Sequence, residues 1–284
     1  MERRVDPGGP LRGTLEVPGD KSQTHRVLML GALADGPCRA VAPLRSGDIA
    51  ALRRAMAACG VKVADDGDAW IIEPPAALVE PADVLDLGNS GTSLRLLTGL
   101  LAGQPDRLFV LTGDGSLRKR PMARVVEPLR RMGAVVTGRE SGRLAPMVIE
   151  GRVLQRVHHD LSIASAQVKS SMLLAGLGCG VSLTQPAASR DHTERMLAAM
   201  GARVTTEGAR VELEPVGRLT AFDWTVAGDA SSAAFWLVAA SIVPGSEIVL
   251  RGVGLNPHRT GVIDVLRAMG ADLEVEVTSE APEP

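Results

Sequence analysis

The chain has 284 residues, of which 45% are hydrophobic, and its formal net charge at pH 7 is −2. This length suits one large domain or two of ordinary size, and the near-neutral charge argues against a nucleic-acid-binding surface. With three Phe, three Trp and no Tyr, the chain has few rings on which bases could stack. Cys38, Cys59 and Cys179 lack a metal-like spacing, so we expect reduced thiols.

Neither a secretory signal nor a membrane span is expected. The N-terminal segment carries charge without an apolar run, and the longest apolar stretch, Ala233 to Val243, is too short to cross a bilayer. The composition therefore predicts a cytoplasmic protein with no nucleic-acid or membrane partner.

Four mostly apolar helices are predicted along the chain. Their sequences are VLMLGALADG, LRLLTGLLAG, SSMLLAGLGCG and SSAAFWLVAASIVPG, ending near Gly36, Gly103, Gly178 and Gly245. A strand such as RLFVLTG or EIVLRGV follows each of them. Helices this apolar are expected to be buried on most sides, packed together within a ring of sheets.

A second helix follows each apolar one and ends in a common phrase. The copies are LRRAMAACGVKV, LRRMGAVV, MLAAMGARV and VLRAMGADLEV, whose glycines are Gly60, Gly133, Gly201 and Gly270, spaced by 73, 68 and 69 residues. Each copy predicts an amphipathic helix, a glycine C-cap and a strand. The repeat exceeds ordinary solenoid periods, which favours an α/β architecture with three units in one domain and a fourth beginning another. The segment from Gly217 to Thr225 is the predicted crossover.

The entrances of the apolar helices carry polar residues at equivalent positions of the repeat. They read GDKSQTHR, GNSGTSLR, ASAQVKSS and GDASSAAF. A helix N-terminus favours anions, although in a single copy Ser, Thr, Asn or Asp is more simply an N-cap. Cations accumulate at or near these entrances: Lys21, Arg26, Arg95, Arg118, Lys119, Arg120, Lys169 and Arg190. This accumulation predicts a site for a multiply anionic small molecule.

Other patterns predict little chemistry. His158 and His159 are expected on a loop facing solvent, and no ligand spacing predicts a bound metal.

Seven segments in order, from about Leu11 to Val277, strongly resemble the 5-enolpyruvylshikimate-3-phosphate synthase family. They are GDKSQTHR, LGNSGTSLRLL, LRKRPMARVVEPLRRMGA, ASAQVKSSMLLAGL, SRDHTERM, GDASSAAFWLVAA and LNPHRTGVIDVLRAMGA. The resemblance implies an inside-out α/β barrel fold of repeated strand–helix–strand–helix–strand–strand units. It implies a first domain over residues 13–225 with three units, and a partial second domain, with one unit, over 1–12 and 226–284.

The resemblance also implies the reaction, in which the enolpyruvyl group of phosphoenolpyruvate passes to the 5-hydroxyl of shikimate 3-phosphate and phosphate is released. This is a step of aromatic amino acid biosynthesis and the target of glyphosate, and it needs no cofactor. Lys21 is implied to be catalytic and to lie between the substrates. The implied shikimate 3-phosphate contacts are Lys21, Ser22, Arg26, Ser165, Ala166 through its backbone, Gln167 and Arg190. The implied phosphoenolpyruvate contacts are Lys21, Asn89, Gly91, Thr92, Arg120 and Gln167.

The sequence departs from the family after the first unit of the second domain. Family members carry two more units there, with an acid–base aspartate, and Asp229 does not match that aspartate. Three hypotheses therefore stand: an enzyme of this family, a non-catalytic module that binds shikimate 3-phosphate, and the related UDP-N-acetylglucosamine enolpyruvyl transferase. Family members are expected to be monomers, whereas apolar faces left uncovered in this chain predict association.

Overall fold

The computed structural model describes residues 8–279 and residue 283. The chain forms two compact units: a large unit of residues 21–226, and a small unit of the described residues before 21 and after 226. The described strands are β1 (Arg12–Glu16), β2 (Cys38–Val41), β3 (Lys62–Asp66), β4 (Ala69–Glu73), β5 (Leu85–Asp86), β6 (Leu108–Thr112), β7 (Val135–Gly138), β8 (Leu144–Glu150), β9 (His158–Asp160), β10 (Val181–Thr184), β11 (Val204–Glu207), β12 (Arg210–Leu213), β13 (Asp223–Thr225) and β14 (Glu247–Arg251). The helices are α1 (Lys21–Gly31), α2 (Gly47–Ala58), α3 (Gly91–Ala102), α4 (Ala123–Arg131), α5 (Arg139–Gly142), α6 (Ala166–Ala175), α7 (His192–Ala199), α8 (Ala230–Ile242) and α9 (Gly261–Ala268).

The large unit contains three four-stranded sheets that share one strand pattern. Their strand orders are β13-β2-β4-β3, β5-β6-β8-β7 and β9-β10-β12-β11. In each sheet the first two strands are parallel and the other pairings are antiparallel. β13, the last strand of the large unit, completes the sheet that β2 began. The threefold recurrence confirms the predicted repeat within this unit.

The four repeat glycines have the same backbone conformation. The φ angles of Gly60, Gly133, Gly201 and Gly270 are 92°, 94°, 84° and 91°, in the left-handed region that glycine adopts most readily. After α2, the Gly60 N–H donates to the carbonyl of Ala57 and the Val61 N–H to that of Met56, and the same pair of bonds closes α4, α7 and α9. These are Schellman C-caps, so the predicted helix ends are confirmed.

The fourth repeat differs from the other three in its sheet. β1 and β14 pair in parallel, like the first two strands of each sheet in the large unit. The strand predicted after Gly270 is wrong, because residues 271–279 form no strand. In the other sheets the equivalent strand pairs with β4, β8 or β12, and the described part of the small unit contains no counterpart that could satisfy its backbone groups.

Three of the apolar helices form the core of the large unit. α1, α3 and α6 are buried along nearly their whole length, and α3 packs against both α1 and α6. The approach of α3 to α6 is closest at Gly99, where a Cβ atom would lie 2.0 Å from the carbonyl oxygen of Ser171. Only glycine leaves room for such close backbone contact. The prediction of buried apolar helices is confirmed for these three.

The same prediction is wrong for α8, the fourth apolar helix. Phe235 and Ile242 are 80% and 72% exposed, and only Ala230 and Ala233 are buried. α8 lies against β14 and α9, whereas α1, α3 and α6 each pack against another helix of their own kind. The sequence of α8 is that of a core helix, but the packing that buries such helices does not surround it.

Several other predicted positions shift in the structure. α1 ends at Gly31 instead of near Gly36. Residues 13–20, predicted in the first domain, lie in the small unit because β1 pairs with β14. His158 and His159 are part of strand β9, not a loop, because β9 pairs in parallel with β10.

Among the described residues, no helix is both long and apolar enough to span a membrane. The three cysteines are free thiols, as expected.

Candidate substrate-binding site

The predicted helix entrances of the large unit coincide with helix N-termini. α1 begins at Lys21, α3 at Gly91 and α6 at Ala166. The Ser90 hydroxyl accepts a hydrogen bond from the Ser93 N–H at 3.2 Å, and the Ser165 hydroxyl accepts one from the Val168 N–H at 3.4 Å. Both serines are therefore N-caps, and the backbone N–H groups of the first turn form the positive end of each helix dipole.

Gln167 joins the entrances of α3 and α6. Its amide nitrogen donates to the Thr92 hydroxyl at 3.0 Å, and its Oε1 accepts a hydrogen bond from Nη1 of Arg95 at 2.5 Å. Thr92 and Gln167 are site residues predicted from the sequence, and the structure brings them into direct contact.

Arg120 reaches the same entrance from the segment before α4. Its guanidinium donates to Oδ1 of Asn89, while the Asn89 amide nitrogen donates to Asp114 Oδ2 at 2.7 Å. A Cβ atom on Gly91 would lie 2.5 Å from Nη1 of Arg120 and 3.3 Å from Nη1 of Arg95. The absence of a side chain at Gly91 is therefore what allows both guanidinium groups to approach the start of α3.

Three arginines give this region a strong positive potential. Arg95 is 7% exposed. Burial lowers the pKa of its guanidinium to about 10, and the charges of Arg124 and Arg120 contribute to the same shift. The Nε atoms of Arg95 and Arg124 are buried and have no hydrogen-bond partner among the described residues. The mutual repulsion of these arginines favours a bound anion here, and so do the Nε–H donors that lack partners.

A second group of predicted residues surrounds the entrance of α1. Lys21 is about half exposed, and its ammonium nitrogen lies 3.6 Å from Asp48 Oδ2 on α2. Arg190, in the segment before α7, donates from Nη1 to the Ser22 hydroxyl at 3.4 Å. The structure therefore places Lys21, Ser22 and Arg190 at one helix entrance, where a second anionic group could bind.

Arg26 is buried beneath this entrance. It is 3% exposed, and it donates to the Thr193 hydroxyl at 2.6 Å, the Ser170 hydroxyl at 2.7 Å and the Ser22 carbonyl at 2.8 Å. These bonds tie α1 to α6 and α7. Arg26 therefore holds these three helices together beneath the site.

Lys169 is another buried cation near the site. Its ammonium nitrogen lies 2.5 Å from Glu194 Oε1 and donates to the carbonyl of Ser189 at 3.1 Å. Both members of the ion pair are over 90% buried, and burial raises the pKa of Glu194 despite the adjacent ammonium. Lys169, noted in the sequence as a possible anion ligand, is instead occupied in fixing the residue before Arg190.

Sequence reasoning assigned no role in the site to Asp48, Asp114, Arg124 or Thr193. Asp48, Asp114 and Thr193 each bond a predicted residue from a different element, whereas Arg124 adds its charge near Arg95. No local pattern in the sequence marks the three bonds. Arg124 alone carried a signal, since it follows Arg120 by four residues at the start of an amphipathic helix. Within the described residues, no cluster of three or more His, Cys, Asp or Glu side chains could hold a metal ion.

The large unit thus belongs to an α/β protein in which helix N-termini and arginine side chains lie together, an arrangement that favours anions. The family model for EPSP synthase (3-phosphoshikimate 1-carboxyvinyltransferase) matches residues 5–283, and the chain belongs to this family. It is 53% identical over 282 residues to the 3-phosphoshikimate 1-carboxyvinyltransferase of Anaeromyxobacter sp. (strain Fw109-5), covering 96% of this chain and 64% of that protein.

Other relatives agree in identity and extent. The chain is 53% identical over 285 residues to a 3-phosphoshikimate 1-carboxyvinyltransferase of Thermus thermophilus, covering 99% of this chain and 67% of that protein. A solved structure of EPSP synthase from Acinetobacter baumannii matches with a TM-score of 0.90 and 44% identity, over 98% of this chain and 64% of that one. The α/β fold is that of EPSP synthase structures, and the chain spans about two thirds of the length of these relatives.

Proposed function

We propose that this chain acts in the transfer of the enolpyruvyl group from phosphoenolpyruvate to the 5-hydroxyl of shikimate 3-phosphate. The observation that carries the proposal is the contact of Gln167 with Arg95 and Thr92, which joins two helix entrances beside unpaired guanidinium donors. Both substrates carry several negative charges, which such a site would neutralise. Membership of the EPSP synthase family supports the same assignment.

The shikimate 3-phosphate site is assigned to the entrances of α1 and α6 and to the segment before α7. Its proposed contacts are Lys21, Ser22, Arg26, Ser165, Ala166, Gln167 and Arg190; Arg26 also donates to the Ser22 carbonyl. Serine hydroxyls, backbone N–H groups and the Arg190 guanidinium suit the tetrahedral phosphate and ring hydroxyls of this substrate.

The phosphoenolpyruvate site is assigned to the entrance of α3. Its proposed contacts are Lys21, Asn89, Gly91, Thr92, Arg120 and Gln167. Arg120 is the principal cation, since it is only partly buried and its guanidinium lies against Asn89 and the bare backbone of Gly91. Arg95 and Arg124 add positive potential from within the protein.

The reaction requires a proton on the methylene carbon of phosphoenolpyruvate and removal of a proton from the attacking hydroxyl. The new C–O bond forms at the carbon that carries the phosphate ester. The methyl group then loses a proton and the C–O bond to phosphate breaks, which restores the double bond and releases phosphate. We assign to Lys21 the stabilisation of this exchange; its half-exposed ammonium at the entrance of α1, 3.6 Å from the Asp48 carboxylate, supports the assignment. We assign no cofactor to these steps.

Two further assignments accompany the proposal. We infer an inside-out α/β barrel, since α1, α3 and α6 are buried inside the large unit while three sheets of identical pattern belong to the same unit. We also assign the reaction to the cytoplasm, where phosphorylated metabolites of this class are found.

The test is a coupled assay of phosphate release with both substrates, run beside calorimetry with shikimate 3-phosphate alone. Turnover that disappears in Lys21→Met and Arg120→Met supports the proposal, whereas absence of both turnover and binding contradicts it. A second candidate is binding of shikimate 3-phosphate without turnover, because every contact proposed for that substrate lies within the large unit. Calorimetric binding with no phosphate release would select that candidate.

A further inference from the structure

A fully buried histidine connects the two groups of site residues described above. His25 lies in the second turn of α1 and is 0% exposed. Its Nδ1 lies 2.7 Å from the carbonyl oxygen of Lys21, and its Nε2 lies 3.1 Å from the hydroxyl oxygen of Ser90. One imidazole ring therefore contacts both the first residue of α1 and the N-cap of α3.

The direction of these hydrogen bonds follows from their partners. A carbonyl oxygen can only accept, so Nδ1 carries the proton that binds the Lys21 carbonyl. Burial lowers the pKa of His25 to about 4, which leaves the ring neutral and its Nε2 an acceptor at neutral pH. Ser90 then donates its only hydroxyl proton to His25.

The remaining bonds of Ser90 are fixed by the same reasoning. Since its proton is used, the Ser90 oxygen accepts from the Ser93 N–H at 3.2 Å and from the Ser93 hydroxyl at 2.7 Å. The result is one directed chain of hydrogen bonds that runs from Ser93 through Ser90 and His25 to the Lys21 carbonyl. The side chains of His25, Ser90 and Ser93 are fully buried, so water does not compete for these hydrogen bonds.

We propose that His25 is a positioning residue that holds the entrances of α1 and α3 in one fixed relation. It fixes the backbone of Lys21, and through Ser90 it fixes the turn that begins α3 at Gly91. The inference rests on the proposed function, because Lys21 and the entrance of α3 are assigned there to the two substrates. A histidine that only filled space in the core would contribute to stability and leave ligand affinity unchanged.

Two substitutions of His25 each keep one of its two hydrogen bonds, to Lys21 or to Ser90, and remove the other. The amide of Asn is close in reach to Nδ1, so His25→Asn retains the bond to Lys21. The longer Gln reaches the position of Nε2, so His25→Gln retains the bond to Ser90. His25→Leu removes both, and Met29→Leu, at a buried position of the same helix outside the hydrogen-bond chain, is the matched control.

The measurement is calorimetry of shikimate 3-phosphate binding by the full chain, at a temperature where thermal unfolding shows each variant to be folded. We expect affinity about tenfold weaker in His25→Leu, a smaller loss in His25→Asn, and no change in Met29→Leu. In a Lys21→Met background, where the ammonium is gone, His25→Leu should add little. Unchanged affinity in His25→Leu, or the full loss repeated in the Lys21→Met background, would overturn the proposal.

A readout without substrate separates this inference from the proposed function. If the wild-type chain does not bind shikimate 3-phosphate, the proposed function fails, and amide hydrogen exchange of Ser93 then tests the positioning role. His25→Leu should accelerate that exchange about tenfold, with no acceleration in Met29→Leu, because Ser90 loses its oriented hydroxyl. Equal exchange rates in the wild type and His25→Leu would refute the positioning role directly. If His25→Leu does not fold, His25→Asn and His25→Gln serve for the same comparison.

Discussion

Arg95 Nη1 and Gln167 Oε1 lie 2.5 Å apart, so the buried arginine of α3 is held by a neutral amide and not by a carboxylate. This choice of partner matters electrostatically. The amide orients the guanidinium without cancelling its charge, and the positive potential at the entrance of α3 stays available to an anion.

Replacing that amide with a carboxylate should separate binding from stability. In Gln167→Glu the new carboxylate pairs with Arg95 and neutralises it, so the midpoint of thermal unfolding should stay level or rise. Affinity for phosphoenolpyruvate in the presence of shikimate 3-phosphate should fall by about tenfold or more, equal to about 1.4 kcal/mol. Gln167→Met is the control that removes the hydrogen bonds without adding charge. A stronger loss of affinity in Gln167→Met than in Gln167→Glu would contradict this electrostatic explanation.

Gly91→Ala tests the close approach of Arg120 to α3. The added methyl group would lie 2.5 Å from Nη1 of Arg120, which must swing away from the helix entrance. The backbone of Gly91 is helical, and alanine is a better helix former by up to about 1 kcal/mol, so stability should not fall. Fluorescence or calorimetric titration should show weaker phosphoenolpyruvate binding with shikimate 3-phosphate affinity nearly unchanged. An equal loss for both ligands would argue against separate sites.

The buried His25 should make stability depend on pH. Its pKa is about 4 in the folded protein, lowered first by burial and then by Arg26 and Lys21 on α1, while the Lys21 carbonyl and Asp48 on α2 oppose the shift. The ordinary value is 6.5, so between pH 6.5 and 4 the unfolded chain binds more protons than the folded one. Stability is therefore fully present above about pH 6.5 and is lost as pH falls toward 4, by roughly 3 kcal/mol.

The measurement for His25 is urea unfolding at several pH values between about 7 and 4, the range over which the folded and unfolded chains differ in bound protons. Other groups titrate in both proteins, so the difference in unfolding free energy between the wild type and His25→Gln isolates the histidine. That difference should shrink steadily as pH falls. A difference independent of pH would show that His25 is not desolvated in the folded state.

The Lys169–Glu194 pair predicts that a single substitution lowers the free energy of unfolding more than a double substitution does. Lys169→Met leaves the Glu194 carboxyl buried without its cation and should destabilise the protein by about 3–5 kcal/mol. Replacing both residues, as in Lys169→Met with Glu194→Met, should recover most of that loss because no charge then remains buried. Denaturant unfolding measures both values. A double variant no more stable than Lys169→Met would rule out the pair as the source of the effect.

Features of the fold that depend on neighbouring residues in the chain could be predicted from the sequence. The repeat glycines are C-caps because local backbone geometry demands a left-handed residue there, and the entrances of α3 and α6 are helix starts because Ser90 and Ser165 cap them. Repetition strengthened these predictions, since four copies of a weak signal agree.

Features that depend on distant partners could not be predicted in this way. The exposure of α8 and the absent strand after Gly270 follow from which elements surround them, and neither helix propensity nor alternation of side chains encodes that. The same limit applies in the site. The sequence predicts Arg26 and Lys169 as cations at helix entrances. Their burial depends on bonds to Thr193 and Glu194, which lie more than twenty residues further along the chain.

The most direct test of the proposed site is calorimetric titration of shikimate 3-phosphate, with unphosphorylated shikimate for comparison, into the wild-type chain and Arg190→Ala. Arg190 lies beside Ser22 at the entrance of α1, where the phosphate group is proposed to bind. We predict saturable binding of shikimate 3-phosphate by the wild type, much weaker binding of shikimate, and a loss of about a hundredfold or more for the phosphorylated ligand in Arg190→Ala. Equal affinity of the wild type and Arg190→Ala for shikimate 3-phosphate would contradict the proposed site.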